Sequence, residues 1–230
     1  MSIFLIGGGE IGRKSIYETE EIDKRIIKET GDPHPTLLFI GLASAFSDSY
    51  YDTIKKNYKN LGCNTIYLKR KNIINNPDIV EEKFQNANII YIGGGDTIKL
   101  LEEIKGFHLE KYLKKSLENN CVIAGISAGA ILLSKEGFSD SFILRGESNH
   151  YKMVKGLEFS NLSICPHFEN NSEKEEELKE FLKKESKEIY ALENNTALII
   201  KSDKIEPFKT NHGNIYHCYY KNNEYYKEEV

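Results

Sequence analysis

An α/β fold, with a mostly parallel central sheet flanked by helices, is what this sequence of 230 residues predicts. Two observations carry that expectation. Short continuous apolar runs, rich in β-branched and aromatic residues, recur through the first half, as strands covered on both faces require. Between them lie stretches with helical spacing, so the order reads βαβα and the strands should run parallel.

The expected strands are residues 3–6, 37–40, 65–68, 89–92 and 121–124, most of them ending at or near glycine or another small residue. Residues 49–61 read as a helix, because Tyr50, Ile54 and Tyr58 recur at about one turn and Gly62 follows as a terminator. A second helix is capped by Asp96 or Thr97, runs through Leu100, Leu101 and Ile104, and stops at Gly106. The second half is less regular. Residues 160–164 read as a strand before Pro166, and 172–188 as a charged helix with Leu178, Phe181 and Leu182 on its apolar stripe. Residues 190–192 and 197–200 bracket a turn at Glu193-Asn194-Asn195, and Asn211-His212-Gly213-Asn214 reads as a hairpin turn. No repeat or linker interrupts the chain, so one domain over residues 1–230 is the simplest expectation.

Composition excludes several classes. With 40% hydrophobic residues the chain can bury a sizeable core. Lysine plus arginine is 31 against 35 aspartate plus glutamate, so no basic excess marks a nucleic-acid or membrane-surface partner. No apolar run approaches the roughly 18 to 20 residues of a membrane helix. The first six residues meet Gly7-Gly8-Gly9 too early for a secretory leader. Cys63, Cys121, Cys165 and Cys218 are scattered without a CxxC pair, which suggests neither a zinc cage nor a disulfide framework. A cytoplasmic protein with reduced thiols is expected.

Gly7-Gly8-Gly9-Glu10-Ile11-Gly12 satisfies G-x-G-x-x-G directly after a strand, the pattern of a dinucleotide site. Such a site needs a ribose-binding acid at the end of the next strand, about 20 residues on. That strand ends in Gly41-Leu42-Ala43, with no carboxylate, so the cluster reads as tight turns. Gly93-Gly94-Gly95-Asp96 also follows a strand, and its backbone N–H groups are open to a negative oxygen.

Gly125-Ile126-Ser127-Ala128-Gly129 lies between a strand and an apolar helix start, which is the setting of a nucleophile elbow. A hydroxyl on so sharp a turn projects into a cleft, with the Ala128 N–H directed at a developing oxyanion. Serine needs a base. Of His34, His108, His150, His167, His212 and His217, the best placed is His167, after a strand and the rigid Pro166, with His150 as the alternative.

Taken together, Ile92 to Thr97 with Leu100-Leu101, then Gly125 to Ala130, then Pro166-His167-Phe168 resemble the peptidase E group of serine peptidases, which includes aspartyl dipeptidases and cyanophycinases. The resemblance extends over residues 3–200. It implies a glutamine-amidotransferase-like α/β fold in which serine replaces the usual elbow cysteine. It also implies Ser127 as nucleophile, His167 as general base, and N–H groups of Gly94 or Gly95 and of Ala128 as the oxyanion hole. The sequence departs from the group in two places. The position matching the group's orienting glutamate is Asn194, with Glu193 one residue earlier; Glu193 is the expected orienter, Asn194 or Asp140 the alternatives. The arginine expected after the histidine of aspartyl dipeptidases is missing from 168–188, which is acidic instead, and Arg145 would have to reach the cleft from another loop.

The expected function is therefore hydrolysis of short peptides, without metal or organic cofactor, with no nucleic-acid or membrane partner and with a homodimer left open. A catalytically silent module holding an anionic small molecule or nucleotide at the same sheet edge is the alternative. A glutaminase is disfavoured by the missing cysteine.

Overall fold

The computed structural model describes residues 2–13, 16–169, 172–202, 204–210 and 213–230. In the first half, strands alternate with helices as expected. β1 (Ser2–Ile6), α1 (Glu20–Thr30), β2 (Thr36–Ile40), α2 (Ser47–Asn60) and β3 (Asn64–Tyr67) come first. They are followed by α3 (Arg70–Asn75), α4 (Pro77–Gln85), β4 (Ile89–Ile92), α5 (Thr97–Gly106) and α6 (Glu110–Glu118). β5 (Val122–Ile126) then leads into the short α7 (Ala128–Leu133). Asp96 caps α5 as its position suggests, its carboxylate accepting from the N–H groups of Ile98 and Lys99.

The second half comprises β6 (Glu136–Ser139), α8 (Ser141–Leu144), β7 (Lys152–Lys155) and β8 (Ser163–Cys165). After them come α9 (Glu173–Glu185), β9 (Glu188–Leu192), β10 (Thr196–Lys201) and β11 (Lys204–Lys209), then β12 (Ile215–Lys221) and β13 (Glu224–Glu229).

The main sheet has the order β11-β10-β1-β5-β4-β2-β3. Its five central and distal strands are mutually parallel, while β10 and β11 close the near edge in antiparallel fashion. Pro207 lies in β11, at the open edge of the sheet, where proline is tolerated. Alternate residues of each strand enter opposite cores. Ile3, Leu5, Leu38, Ile40, Ile90 and Ile92 pack with Leu100, Ile104 and Leu113. Phe4, Ile6, Leu37, Phe39, Ile89 and Tyr91 pack with Ile22, Ile26, Ile54 and Tyr58 of α1 and α2. Helices on both faces explain why these strands read as unbroken apolar runs. Each fully buried side chain of this size contributes roughly 1.5 to 3 kcal/mol.

A second sheet, β13-β12-β9-β8-β6-β7, was not foreseen. Its strands mix parallel and antiparallel pairs, and α9 covers it through Leu178 and Leu182 against Phe138, Phe168 and Ile189. Of the expected hairpin turn, Asn211 and His212 lie outside the described residues. The flanking strands β11 and β12 belong to different sheets, so they form no hairpin with each other. The tight turn in this region is Asn222-Asn223, both at positive φ, with Lys221 paired to Glu224 across it.

One buried polar cluster fixes the segment that follows β1. Asp23 accepts hydrogen bonds from the hydroxyls of Tyr17 (2.6 Å), Thr19 (3.2 Å) and Tyr58 (2.8 Å). Burial pushes its pKa up to about 6 despite those donors. Nearby, Ile11 and Tyr17 form an isolated antiparallel bridge, and the Asn57 amide donates to the Ile11 carbonyl. Ile11 is thereby tied both to Tyr17 and to α2.

Candidate active site

β5 delivers Ser127 to the carboxyl edge of the main sheet. Its φ of 55° and ψ of −111° are sparsely populated for a residue with a side chain and cost of order 1 to 3 kcal/mol. Backbone bonds on both sides hold it there: the Ser127 N–H donates to Ile6 O, and the Ser127 carbonyl accepts from Ile131 N–H, both at 3.0 Å. The neighbouring glycines serve packing rather than clearance of the hydroxyl. A Cβ on Gly125 would lie 2.3 Å from the Gly129 carbonyl, and one on Gly129 would lie 2.2 Å from Ile92 O. Only a bare backbone lets α7 rest so closely on β5 and β4.

β8 and the rigid Pro166 bring His167 to the same place. His167 also has a positive φ, 50°. Its N–H donates to Gly7 O (2.9 Å), and Phe168 N–H donates to Leu192 O (3.0 Å). The ring Nε2 lies 2.9 Å from Ser127 Oγ, and Nδ1 lies 2.8 Å from Asn194 Oδ1. With the Asn194 carbonyl oxygen accepting, Nδ1 carries the ring hydrogen and Nε2 presents its lone pair to the Ser127 hydroxyl. That tautomer is assigned from the network. His167 is solvent-exposed as a residue, yet protein packs closely around its ring nitrogens. Burial pushes the His167 pKa below the usual histidine value, partly opposed by the Asn194 hydrogen bond.

Glu193 is not the residue at Nδ1. Its carboxylate turns the other way and accepts from Asn214 N–H at 2.8 Å, while the Asn195 N–H donates to Gly8 O at 2.9 Å. In this tight turn successive side chains leave in different directions, so a shift of one residue exchanges a carboxylate for an amide under the ring. Asp140 is not there either; it lines a second hollow that His167 also borders, with Tyr151 and Glu169.

The first glycine cluster, read as tight turns, proves to be part of the same site. Gly8 has φ 151°, and a Cβ on it would fall 2.3 Å from Asn194 Oδ1 and 2.4 Å from the His167 ring. Asn194 and His167 thus crowd the Gly8 backbone so closely that not even a methyl group fits there. The signal available in the sequence was a run of three glycines at the end of the strand that pairs with both β5 and β10.

Gly94 and Gly95 line a cleft of about 200 Å³ together with Ser127 and His167. The Gly94 N–H donates to the Tyr50 hydroxyl at 3.3 Å, and a Cβ on Gly94 would stand 3.3 Å from that of Ser127. Ala128 follows Ser127 as the first residue of α7, where a backbone N–H lacks a carbonyl one turn earlier in its helix.

Of the other candidates, His212 lies outside the described residues, and those described lie elsewhere. His150 Nδ1 is 3.1 Å from Glu177 of α9, His34 bonds to Gly62 O, and the His217 ring stacks on Tyr190. Arg145 is held by Asp96 (2.8 Å) and Glu102 (3.2 Å), outside the residues that line the cleft.

Family membership defines this chain as a peptidase. A model of Peptidase family S51 matches residues 3–207, and the chain belongs to that family, which is serine-type. The chain is 29% identical over 174 residues to "uncharacterized peptidase YgaJ" of Bacillus subtilis (strain 168), covering 75% of this chain and 70% of that one. It is 27% identical over 172 residues to peptidase E of Haemophilus influenzae, covering 71% and 74%. The fold is shared with the crystal structure of a peptidase from an acI-B1 Actinobacterium, at TM-score 0.69 and 22% identity, over 100% of this chain and 93% of that one. Among the described residues, no helix is long and apolar enough to cross a membrane.

Proposed function

We propose that this chain hydrolyses short peptides with Ser127 as nucleophile, His167 as general base and Asn194 as the group that orients the base. The observation that carries the reading is the line Asn194 Oδ1, His167 Nδ1, His167 Nε2 and Ser127 Oγ, with contacts of 2.8 and 2.9 Å. His167 Nε2 takes the Ser127 proton as Oγ bonds to the scissile carbonyl carbon. N–H groups of Gly94 or Gly95 and of Ala128 receive the resulting oxyanion. The imidazolium then protonates the departing amine as the C–N bond breaks. Water, deprotonated by the same ring, attacks the acyl-enzyme and regenerates the serine. Since Gly94 N–H bonds to Tyr50, Gly95 and Ala128 are the readier donors. Each donor contributes about 3 kcal/mol to the transition state.

A fluorophosphonate probe should label the protein at Ser127, and Ser127→Ala should abolish the label. Label persisting in that variant would mean that a different nucleophile reacts. A dipeptide-library cleavage profile supplies the substrate preference.

Burial of the His167 ring beside a neutral amide sets the expected pH profile. The base works neutral, and its pKa is depressed, so the ascending limb of kcat/KM should fall below pH 6.5. Asn194→Asp places a negative charge against the ring, which favours the imidazolium and should move that limb upward by about 1 to 2 units. A limb that does not move in this variant would show that residue 194 does not act on the base.

A further inference from the structure

The chain's arginines are Arg13, Arg25, Arg70 and Arg145. Three are held tightly by carboxylates: Arg25 by Glu206 at 2.7 Å, Arg70 by Glu103 at 2.9 Å and Arg145 by Asp96 at 2.8 Å. Arg13 differs. Its guanidinium stands 3.6 Å from Glu10, with the side chain more than half exposed, and lies over the Tyr50 ring at 5.7 Å from the centroid. Tyr50 is itself buried and accepts from Gly94 N–H, so the arginine rests on a fixed platform. Arg13 lines the same cleft as Ser127, His167 and Gly94, and among the described residues lining that cleft it alone carries a permanent positive charge.

We infer that Arg13 receives the C-terminal carboxylate of a short peptide and thereby selects substrates by length; this rests on the reading of Ser127 and His167 given above. The guanidinium is a planar fork matched to a carboxylate, and Glu10 at 3.6 Å holds it too loosely to satisfy it. The cleft, at about 200 Å³, is smaller than the roughly 300 to 1,000 Å³ of drug-sized sites. In a dipeptide the terminal carboxylate sits only one residue beyond the scissile carbonyl. Each further residue moves it by about 3.5 Å, away from the guanidinium on the wall of so small a cleft. The neutral amide of Asn194 adds no negative charge to repel it.

The test is a cycle on kcat/KM with the best-cleaved dipeptide and its C-terminal amide, in wild type, Arg13→Gln and Arg13→Lys. Wild type should prefer the free acid by about 10- to 100-fold. Arg13→Gln should bring the ratio to within about twofold of unity, and Arg13→Lys should fall between, because it keeps the charge without the fork. Comparing enzymes cancels the amide's own effect on the leaving group. An unchanged acid-to-amide ratio in Arg13→Gln overturns the assignment. So does a loss that follows an aspartate-to-asparagine exchange in the peptide side chains instead of the terminal group. Fluorophosphonate labelling of Ser127 without turnover of any dipeptide removes the carboxylate assignment and leaves the nucleophile standing. Failure of both labelling and turnover removes both.

Discussion

Ser127→Ala should lower kcat by about 10⁴-fold or more, because the bond-forming atom is gone and only binding and the oxyanion donors remain. His167→Ala should cost nearly as much, since an unassisted hydroxyl is a poor nucleophile at neutral pH. The double variant should be scarcely worse than either single one. Residues that act as one unit lose their whole effect at the first deletion. Independent, multiplying losses would show that the 2.9 Å contact between the two is incidental. Stability behaves differently. Alanine inherits the φ of 55°, so Ser127→Ala should unfold close to the wild-type temperature. Ser127→Gly relieves the strain and should raise the midpoint by about 2 to 4 °C if it recovers about 1 kcal/mol.

Gly125→Ala should be among the most damaging single methyl additions in the chain. Its Cβ would stand 2.3 Å from backbone atoms of Gly129, which have no rotamer to yield. Strand and helix must separate, and the expected loss is about 3 kcal/mol or more, a fall in thermal midpoint of about 6 to 12 °C. Activity should fall with it, because Ser127 sits on the turn that has to open. Gly106→Ala is the control. Nothing lies within 4 Å of its added Cβ, and it belongs to α5, so it should be neutral or stabilising by up to about 1 kcal/mol. Urea unfolding of the two variants compares them directly. Equal midpoints would mean that the close seat of α7 on β5 is not what shapes the elbow.

The main sheet was legible because a strand buried on both faces writes itself as a continuous apolar run. Residues 89–92 were read to the residue, and β2 and β3 to within one. The second sheet was not legible. Glu136–Ser139 and Lys152–Lys155 carry neither an apolar run nor a clean alternation, and their pairing depends on long-range contacts that no local pattern records. Ser127 and His167 were readable because a sharp turn and a rigid proline leave local signatures. The choice between Glu193 and Asn194 was not. It turns on a single residue of register at the entry to β10, and the backbone bond from Asn195 N–H to Gly8 O sets that register from the far end of the chain. Arg13 bears no motif at all; its place in the cleft follows from how Asn57 and Tyr17 pin the loop after β1.

β1 is flanked by β5 on one side and by β10 on the other, so this strand is completed by a segment made much later in translation. Until residues 196–201 emerge, its outer edge is unpaired and invites wrong partners. Over the same interval the imidazole has no amide to steady it, because residue 194 has yet to be translated. A chain cut short before residue 194 therefore lacks both the pairing edge for β1 and the amide that meets Nδ1 of His167.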